Sequence, residues 1–150
     1  MTKDVFWKNF LTATNTDKTT KYTDCFHFAL TEQLANELLE LVLTGKKQAT
    51  SSSLYAYEAE SCPLPQVGDY SIVTDWAGVP HCVIQTTDIT ILPFKEITYA
   101  LCKDEGEDDT LESWQNGHHH FFTEEGKLLG YQFSDDMPVV FEHFKVVYKK

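Results

Sequence analysis

Apolar residues recur with a helical period in two segments near the amino terminus. Residues 4–13 are predicted to form a short helix, whose apolar side chains at helical spacing are Val5, Phe6, Phe10 and Leu11. A clearer helix begins at Thr31, a suitable N-cap, and stops at Gly45, a suitable residue beyond the last turn. Its apolar positions, spaced at about 3.6 residues, are Leu34, Leu38, Leu41 and Val42.

The remainder of the chain alternates between segments typical of strands and polar turns. The segments predicted to be extended are residues 25–28, 49–57, 70–75, 81–92 and 139–148. The third and fourth are joined through Ala77 and Gly78, which predicts a hairpin. Further helices are predicted within residues 94–103 and from Thr110 to about residue 122, separated by an acidic loop at residues 104–109.

Strands joined by hairpins, without a regular strand–helix–strand alternation, favour a mostly antiparallel sheet. About five strands can curl into a small barrel, which protects exposed edges. No repeat, low-complexity tract or Pro/Gly/Ser-rich linker divides the sequence. We therefore expect one α+β domain over residues 1–150, with a small, mostly antiparallel β-barrel flanked by helices.

The charge balance bears on the partners of the protein. The 12 basic residues, all of them lysine, face 23 acidic residues, and the formal net charge is −11. Proteins that bind duplex DNA neutralise phosphates with clustered basic side chains, and a strongly acidic chain repels bulk nucleic acid. We therefore expect no duplex DNA partner, although a single nucleotide can enter a local basic pocket.

The lengths of the apolar runs and the first ten residues indicate where in the cell the protein is expected. No apolar run approaches the roughly 18 residues of a membrane span, and the first ten residues lack the pattern of a signal peptide. We expect no membrane partner and a cytoplasmic location.

The four cysteines, at positions 25, 62, 82 and 102, form no C-x-x-C pair, so zinc spacing is absent. Cys82 and Cys102 are expected in the core.

Candidate chemistry begins directly after the second helix, at Lys46, Lys47 and Thr50. An unprotonated lysine can activate a hydroxyl once its pKa has been lowered. The alternative is a solvated lysine pair at a helix end. Strand alternation would place Lys46 and Thr50 on one face, so Lys47 joins Thr50 only if it lies in the turn before the strand.

Two later segments offer further polar groups. The acidic loop at residues 104–109 does not have the spacing of a calcium loop, and a single carboxylate turned into a pocket is the expectation there. His118, His119 and His120 fan out around a helix by about 100° per residue, so they cannot share one metal. His118 follows Trp114 by four residues, and the two can share a helix face. We expect no metal and no cofactor.

Taken in order, these segments resemble the ASCH family of the PUA-like superfamily, in its bacterial branch with an N-terminal helical extension, here residues 1–24. The residues that carry the resemblance are Phe6-Trp7-x-x-Phe10, Gly45-Lys46-Lys47-x-Ala49-Thr50, Leu54-x-x-Tyr57-Glu58, Gly68-Asp69-Tyr70-Ser71-Ile72-Val73, Pro80-x-Cys82-Val83-Ile84, Glu105-Gly106-Glu107, Trp114-x-x-x-His118 and Met137-Pro138-Val139-Val140-x-Glu142. The resemblance implies a small β-barrel with a cleft for RNA, a nucleotide or a nucleoside.

Some family members look like amidohydrolases that act on N4-acylated cytidine with a lysine, a threonine and a glutamate. By motif, these roles fall on Lys47, Thr50 and Glu107, with Glu105 as the fallback for the glutamate. In that scheme Lys47 activates Thr50, which attacks the acyl carbonyl, and Glu107 assists proton transfer or substrate placement. The alternative is a non-catalytic module that binds RNA or a regulatory partner.

The resemblance also implies a set of ligand-binding residues, which are Lys46, Tyr57, Glu105, Trp114 and His118. The sequence departs from the family pattern at three positions, since Gln48 and Gln115 replace expected basic residues and Asp108 replaces a glycine. Fewer cations weaken contacts with phosphate. The departures therefore favour a neutral nucleoside or similar small molecule over an RNA strand.

Overall fold

A computed structural model describes the whole chain, residues 1–150, as five helices and a five-stranded sheet. The helices are α1 (Lys3–Ala13), α2 (Glu32–Leu43), α3 (Leu54–Ala59), α4 (Tyr99–Cys102) and α5 (Leu111–Leu129). The strands are β1 (Asp24–Phe26), β2 (Ala49–Ser53), β3 (Tyr70–Thr74), β4 (Pro80–Pro93) and β5 (Pro138–Lys149). Short 3₁₀ turns occupy Phe94–Glu96 and Lys103–Glu105.

The strands form one sheet in the order β1-β3-β4-β5-β2. Only the β1–β3 pair is parallel, and the other three pairs are antiparallel. The two long strands β4 and β5 pair along almost their whole length, with register shifts that bend the sheet into a half-barrel. The predicted α+β architecture with a mostly antiparallel, curled sheet is therefore confirmed.

Side-chain caps explain where the helices begin. Thr2, Thr31 and Thr110 each accept a hydrogen bond from a backbone N–H in the first turn of their helix. Gly45, with φ of 83°, follows the end of α2 as predicted. None of the five helices combines the length and apolar character that a membrane crossing requires.

Two element predictions were wrong. The extended segment at residues 49–57 ends at Ser53, because the Ser53 hydroxyl accepts the N–H of Tyr55 and starts α3. The helix predicted to end near residue 122 continues to Leu129. Gly126 does not end it; a Cβ there would lie 2.4 Å from the Tyr131 carbonyl oxygen, so the glycine lets the chain fold back against the helix.

Three buried clusters place the helices on the sheet. Helix α2 packs Leu38, Leu39 and Val42 against one part of the sheet. Helix α5 packs Trp114 and Phe122 against another. Helix α1 covers a third part; its buried residues are Phe6, Trp7, Phe10 and Leu11. Cys82 and Cys102 are buried as expected. The arrangement leaves a cleft between α2 and α5.

Candidate functional site

A cleft of about 340 Å³ lies where the segment before α2, helix α2, strand β2, the acidic loop and helix α5 meet. The apolar lining residues come from the segment before α2, from α2 and from α5, and are Phe28, Ala29, Leu34, Leu38, Leu41 and Phe121. The polar lining residues are Glu37, Lys47, Thr50, Ser51, Glu105, Glu107, Asp108 and His118, and Gly117 completes the lining. An apolar lining with a few convergent polar groups is typical of a small-molecule site.

Lys47 enters the cleft from the connection between α2 and β2. The backbone N–H groups of Lys46 and Lys47 both donate to the Leu41 carbonyl, which turns the chain sharply after the helix. Lys47 therefore lies in the turn before β2, as its meeting with Thr50 requires. Its side chain is only 1% exposed. Of the two lysines left open by the sequence, Lys47 faces the cleft and Lys46 is exposed.

Two carboxylates surround the Lys47 ammonium. Its Nζ lies 2.7 Å from Glu107 Oε2 and 3.3 Å from Glu105 Oε1. It also lies 5.3 Å from the centre of the Phe28 ring, a cation–π distance. Burial alone would lower the pKa of Lys47, but the charges of Glu105 and Glu107 more than offset this and raise it. Lys47 is therefore a buried ammonium at neutral pH.

Glu105 is the hub of the polar side, and it is buried. Its Oε2 accepts hydrogen bonds from Trp114 Nε1 at 2.6 Å and from the Ser51 hydroxyl at 3.0 Å. Its Oε1 faces Lys47 and His118. Burial opposes ionisation, but Lys47, His118 and the hydrogen bonds hold the pKa of Glu105 well below its usual range. Glu105 is therefore a carboxylate at neutral pH.

His118 is oriented from both of its nitrogens. Nδ1 lies 2.9 Å from the Trp114 carbonyl, which only accepts, so Nδ1 carries a proton. Nε2 lies 3.4 Å from Glu105 Oε1, where a second proton is favoured. Burial would lower the pKa of His118, but Glu105 and Glu107 outweigh it and raise the pKa. The ring also stacks on Trp114, with 4.1 Å between centroids.

Glu107 differs from Glu105, because it reaches the cleft opening and its side chain is 19% exposed. Burial and the nearby charge of Glu105 raise the pKa of Glu107, and the Lys47 ammonium offsets part of this effect. The two neighbouring carboxyls therefore have pKa values shifted in opposite directions. That division is typical of sites that hold one fixed charge and one group that exchanges protons.

Gly106 allows the acidic loop to approach Lys47. Its φ of 75° suits glycine, and a Cβ would lie 2.5 Å from the Lys46 carbonyl oxygen. The Gln48 N–H donates to the Asp104 carbonyl at 2.7 Å beside it. The backbone of residues 104–106 is thus pressed against that of residues 46–48, which positions the carboxylates on either side of the ammonium.

The structure brings most of the predicted site residues together. Around the cleft lie Lys47, Thr50, Glu105, Glu107, Trp114 and His118. Lys46 and Tyr57 do not line it, because Lys46 is turned to solvent and Tyr57 belongs to α3. Sequence reasoning missed the role of Ser51, which donates to Glu105, and the apolar lining that α2 provides. The spacing of four residues from Lys47 to Ser51 gave no signal, because Lys47 lies in a turn and Ser51 in a strand, so that no single periodicity relates them.

Glu105, Glu107 and His118 place one ligand atom each within 4.8 Å of one another. Such a set can hold a metal ion in principle. Here, however, the Lys47 ammonium already lies between the two carboxylates and offsets part of their negative charge. A metal would have to displace it, so this donor set does not fit a resident metal.

Comparisons with known proteins bear on the family and the fold of the chain. The sequence model of the ASCH domain matches residues 24–148. An ASCH domain from Lactobacillus crispatus JV V101 is 35% identical, with a TM-score of 0.87 over 97% of this chain and 93% of that one. A protein from Enterococcus faecalis V583 is 36% identical, with a TM-score of 0.87 over 96% of this chain and 86% of that one.

Two further comparisons carry no information on function. A solved structure of a hypothetical protein is 18% identical, with a TM-score of 0.52 over 83% of this chain and 97% of that one, which shows a common fold alone. No curated protein matches the sequence.

Proposed function

Because the chain belongs to the ASCH domain family, we propose that its cleft binds a nucleoside-sized ligand and hydrolyses the amide of an N-acylated nucleoside such as N4-acetylcytidine. The observation that carries the proposal is the meeting of three groups in one cleft. These are the buried Lys47 ammonium, the Glu107 carboxyl with its raised pKa, and the Thr50 hydroxyl.

The dimensions and charge of the cleft favour a small neutral ligand. A volume of about 340 Å³ is near the lower end of ligand pockets, which run from roughly 300 to 1,000 Å³. The aromatic rings of Phe28 and Phe121, which line the cleft, suit the flat face of a base. Lys47 is already paired with two carboxylates, and the net charge of −11 opposes polyanions. These features favour a nucleoside over an RNA strand.

The charge states indicate how the groups divide the reaction. Lys47 cannot take a proton while it is an ammonium, so it acts here as an electrostatic stabiliser of the oxyanion that forms on the acyl oxygen. Thr50 Oγ1 bonds to the acyl carbon, and its proton leaves to a carboxylate near the cleft. The C–N bond then breaks, and the nitrogen takes a proton that Glu107 relays from solvent. Water hydrolyses the acyl-threonine, and a proton of that water returns to Thr50 Oγ1.

The test is turnover of N4-acetylcytidine by the purified protein, followed as cytidine release by liquid chromatography. Lys47→Met is expected to lower kcat/KM by roughly 10²–10³-fold, the usual effect of removing an oxyanion donor. Lys46→Met is the matched control, because it removes the neighbouring exposed lysine, and it is expected to behave like the wild type. Thermal unfolding confirms that each variant is folded.

Two outcomes would end the catalytic proposal. One is wild-type release of cytidine no faster than in buffer. The other is equal loss in the Lys46 and Lys47 variants. An acyl-nucleoside panel, with the acyl group and base varied in turn, then defines the substrate preference.

A non-catalytic pocket is the second candidate, favoured by the paired state of Lys47, since a saturated ion pair suits binding better than proton abstraction. It predicts nucleoside binding by calorimetry without turnover. Binding to short RNAs, if present, is expected to weaken steeply with salt, and binding that ignores salt would exclude an RNA-backbone site.

A further inference from the structure

We propose that Glu142 on β5 is a second functional carboxylate of this site, the general base that takes the proton from Thr50. The proposal rests on the amide hydrolysis proposed above, and it supplies the one role that Lys47 cannot fill.

The register places Glu142 beside Thr50. Strands β2 and β5 are antiparallel, and Thr50 is directly opposite Glu142 with no register shift along the pair. Directly opposed residues project from the same face of a sheet, with Cβ atoms about 4.5–5.5 Å apart. A glutamate side chain spans that separation. Ser51, by contrast, projects from the other face, where it donates to Glu105.

The same face carries the group that orients Glu142. The Thr86 hydroxyl of β4 donates to Glu142 Oε2 at 2.5 Å. This bond fixes one carboxylate oxygen and leaves the other able to accept a proton. Thr86 itself is buried, so its hydroxyl is a stable partner. Glu142 is thus held on the same face of the sheet as Thr50, directly opposite it on the neighbouring strand.

The charges around Glu142 suit a base. Its titratable neighbours are Asp24 of β1, Asp69 before β3 and Tyr57 of α3, and none of them is a cation. Burial raises the pKa of Glu142, the Thr86 hydrogen bond opposes the rise, and the two aspartates add to it. A carboxylate with a raised pKa is a stronger proton acceptor than an ordinary one. Tyr57, whose pKa burial raises to about 12, stays neutral beside it.

With Glu142 as the base, every proton transfer of the proposed reaction has a donor and an acceptor. Thr50 Oγ1 loses its proton to Glu142 as it bonds to the acyl carbon. The nitrogen of the breaking C–N bond receives a proton that Glu107 relays from solvent, and Glu142 releases the proton of Thr50 to solvent. In deacylation, Glu142 takes a proton from the attacking water and passes it to Thr50 Oγ1 as the bond between the acyl carbon and Oγ1 breaks, so that the acid product leaves and Thr50 and both carboxylates are regenerated. No oxidant or further reactant is needed.

The experiment measures acetylation of Thr50 by p-nitrophenyl acetate, with the site identified by peptide mass spectrometry, alongside N4-acetylcytidine turnover. Wild type, Glu142→Gln, Glu142→Asp and Asp88→Asn are compared between about pH 4 and pH 9. Glutamine keeps the shape and can still accept the Thr86 hydrogen bond. Asp88→Asn is the control, because it removes an exposed carboxylate from the adjacent strand.

Glu142→Gln is expected to slow Thr50 acetylation by roughly 10²–10⁴-fold, the range of general base catalysis, and to abolish the fall in rate at acidic pH. Glu142→Asp is expected to retain that acidic limb, which a purely structural role would not predict. Asp88→Asn is expected to match the wild type in both rate and pH profile.

Two results overturn the inference: a Glu142→Gln profile that keeps the acidic limb, or a wild-type protein whose Thr50 is not acetylated. The proposed function fails separately. If Thr50 acetylation depends on Glu142 but N4-acetylcytidine is not hydrolysed, the inference stands and the substrate class is wrong. If N4-acetylcytidine is hydrolysed equally by wild type and Glu142→Gln, the function stands and the base is another group.

Discussion

Replacing Glu105 with glutamine is expected to destabilise the protein far more than removing an exposed carboxylate. Glu105 is buried, and both of its oxygens receive donors: Ser51 and Trp114 on Oε2, and Lys47 and His118 on Oε1. Glutamine has one acceptor oxygen and one NH₂ group. Whichever way the amide is turned, its NH₂ faces two donors, and the Lys47 ammonium loses a counter-charge.

The magnitude follows from the buried ion pair. Removing one partner of such a pair costs about 3–5 kcal/mol, a large part of the roughly 5–15 kcal/mol that stabilises a domain. For a chain of this length, 1 kcal/mol corresponds to about 2–4 °C in Tm, so the expected fall is roughly 6–20 °C. The double variant Lys47→Met with Glu105→Gln is expected to lose less than the sum of the single variants, because no ammonium is left unpaired.

Thermal unfolding followed by circular dichroism, with urea denaturation at neutral pH, provides the measurement. Glu58→Gln is the matched control, since Glu58 is exposed, and its Tm is expected to change by no more than about 2 °C. A Glu105→Gln variant as stable as this control would refute the account of Glu105 as a buried hub. Strict additivity in the double variant would refute its coupling to Lys47.

Two further predictions follow from α5. Gly117→Ala is expected to stabilise the protein by up to about 1 kcal/mol, because the added Cβ meets nothing within 4 Å. Gly126→Ala is expected to destabilise it by about 1–3 kcal/mol, because the added Cβ would lie 2.4 Å from the Tyr131 carbonyl oxygen. Tm shifts of the same sign in the two variants would contradict this. His118 has a raised folded-state pKa, so the stability it contributes is complete below its ordinary pKa of about 6.5 and is lost as the pH rises through the folded value. The unfolding free energy is therefore expected to fall more steeply between about pH 6 and pH 9 in the wild type than in His118→Gln. Urea denaturation at a series of pH values gives this free energy, and the same pH dependence in both proteins would count against the prediction.

Local pattern was sufficient for most of the fold. Helix α2 carries both a regular apolar stripe and side-chain or glycine signals at its ends, and it was predicted closely. Residues 54–59 were misassigned because Ser53 resembles a strand residue until its hydroxyl caps a helix. The length of α5 was underestimated, because glycine near position 126 normally ends a helix, and only the packing of Tyr131 explains its place inside one.

The site was less predictable, because its parts are distant in sequence. The motif resemblance named Lys47, Glu105 and Glu107, but it did not show that one ammonium lies between both carboxylates. The raised pKa of Lys47 favours an electrostatic role over the base role that the resemblance implies. Pairing across 58 residues depends on the sheet and on Gly106, and neither leaves a periodic signal in the sequence.

The position of β2 has a consequence for how the protein comes into being. That strand lies at one end of the sheet, and its one strand partner is β5, which comes last of the five strands along the chain. On the ribosome, residues 47–51 therefore emerge long before the neighbour that orders them. A nascent chain presents the lysine, the threonine and the serine as a loose polar segment. The cleft closes only after β5 has emerged and paired with β2, so the polar groups of β2 take their places in a single late step.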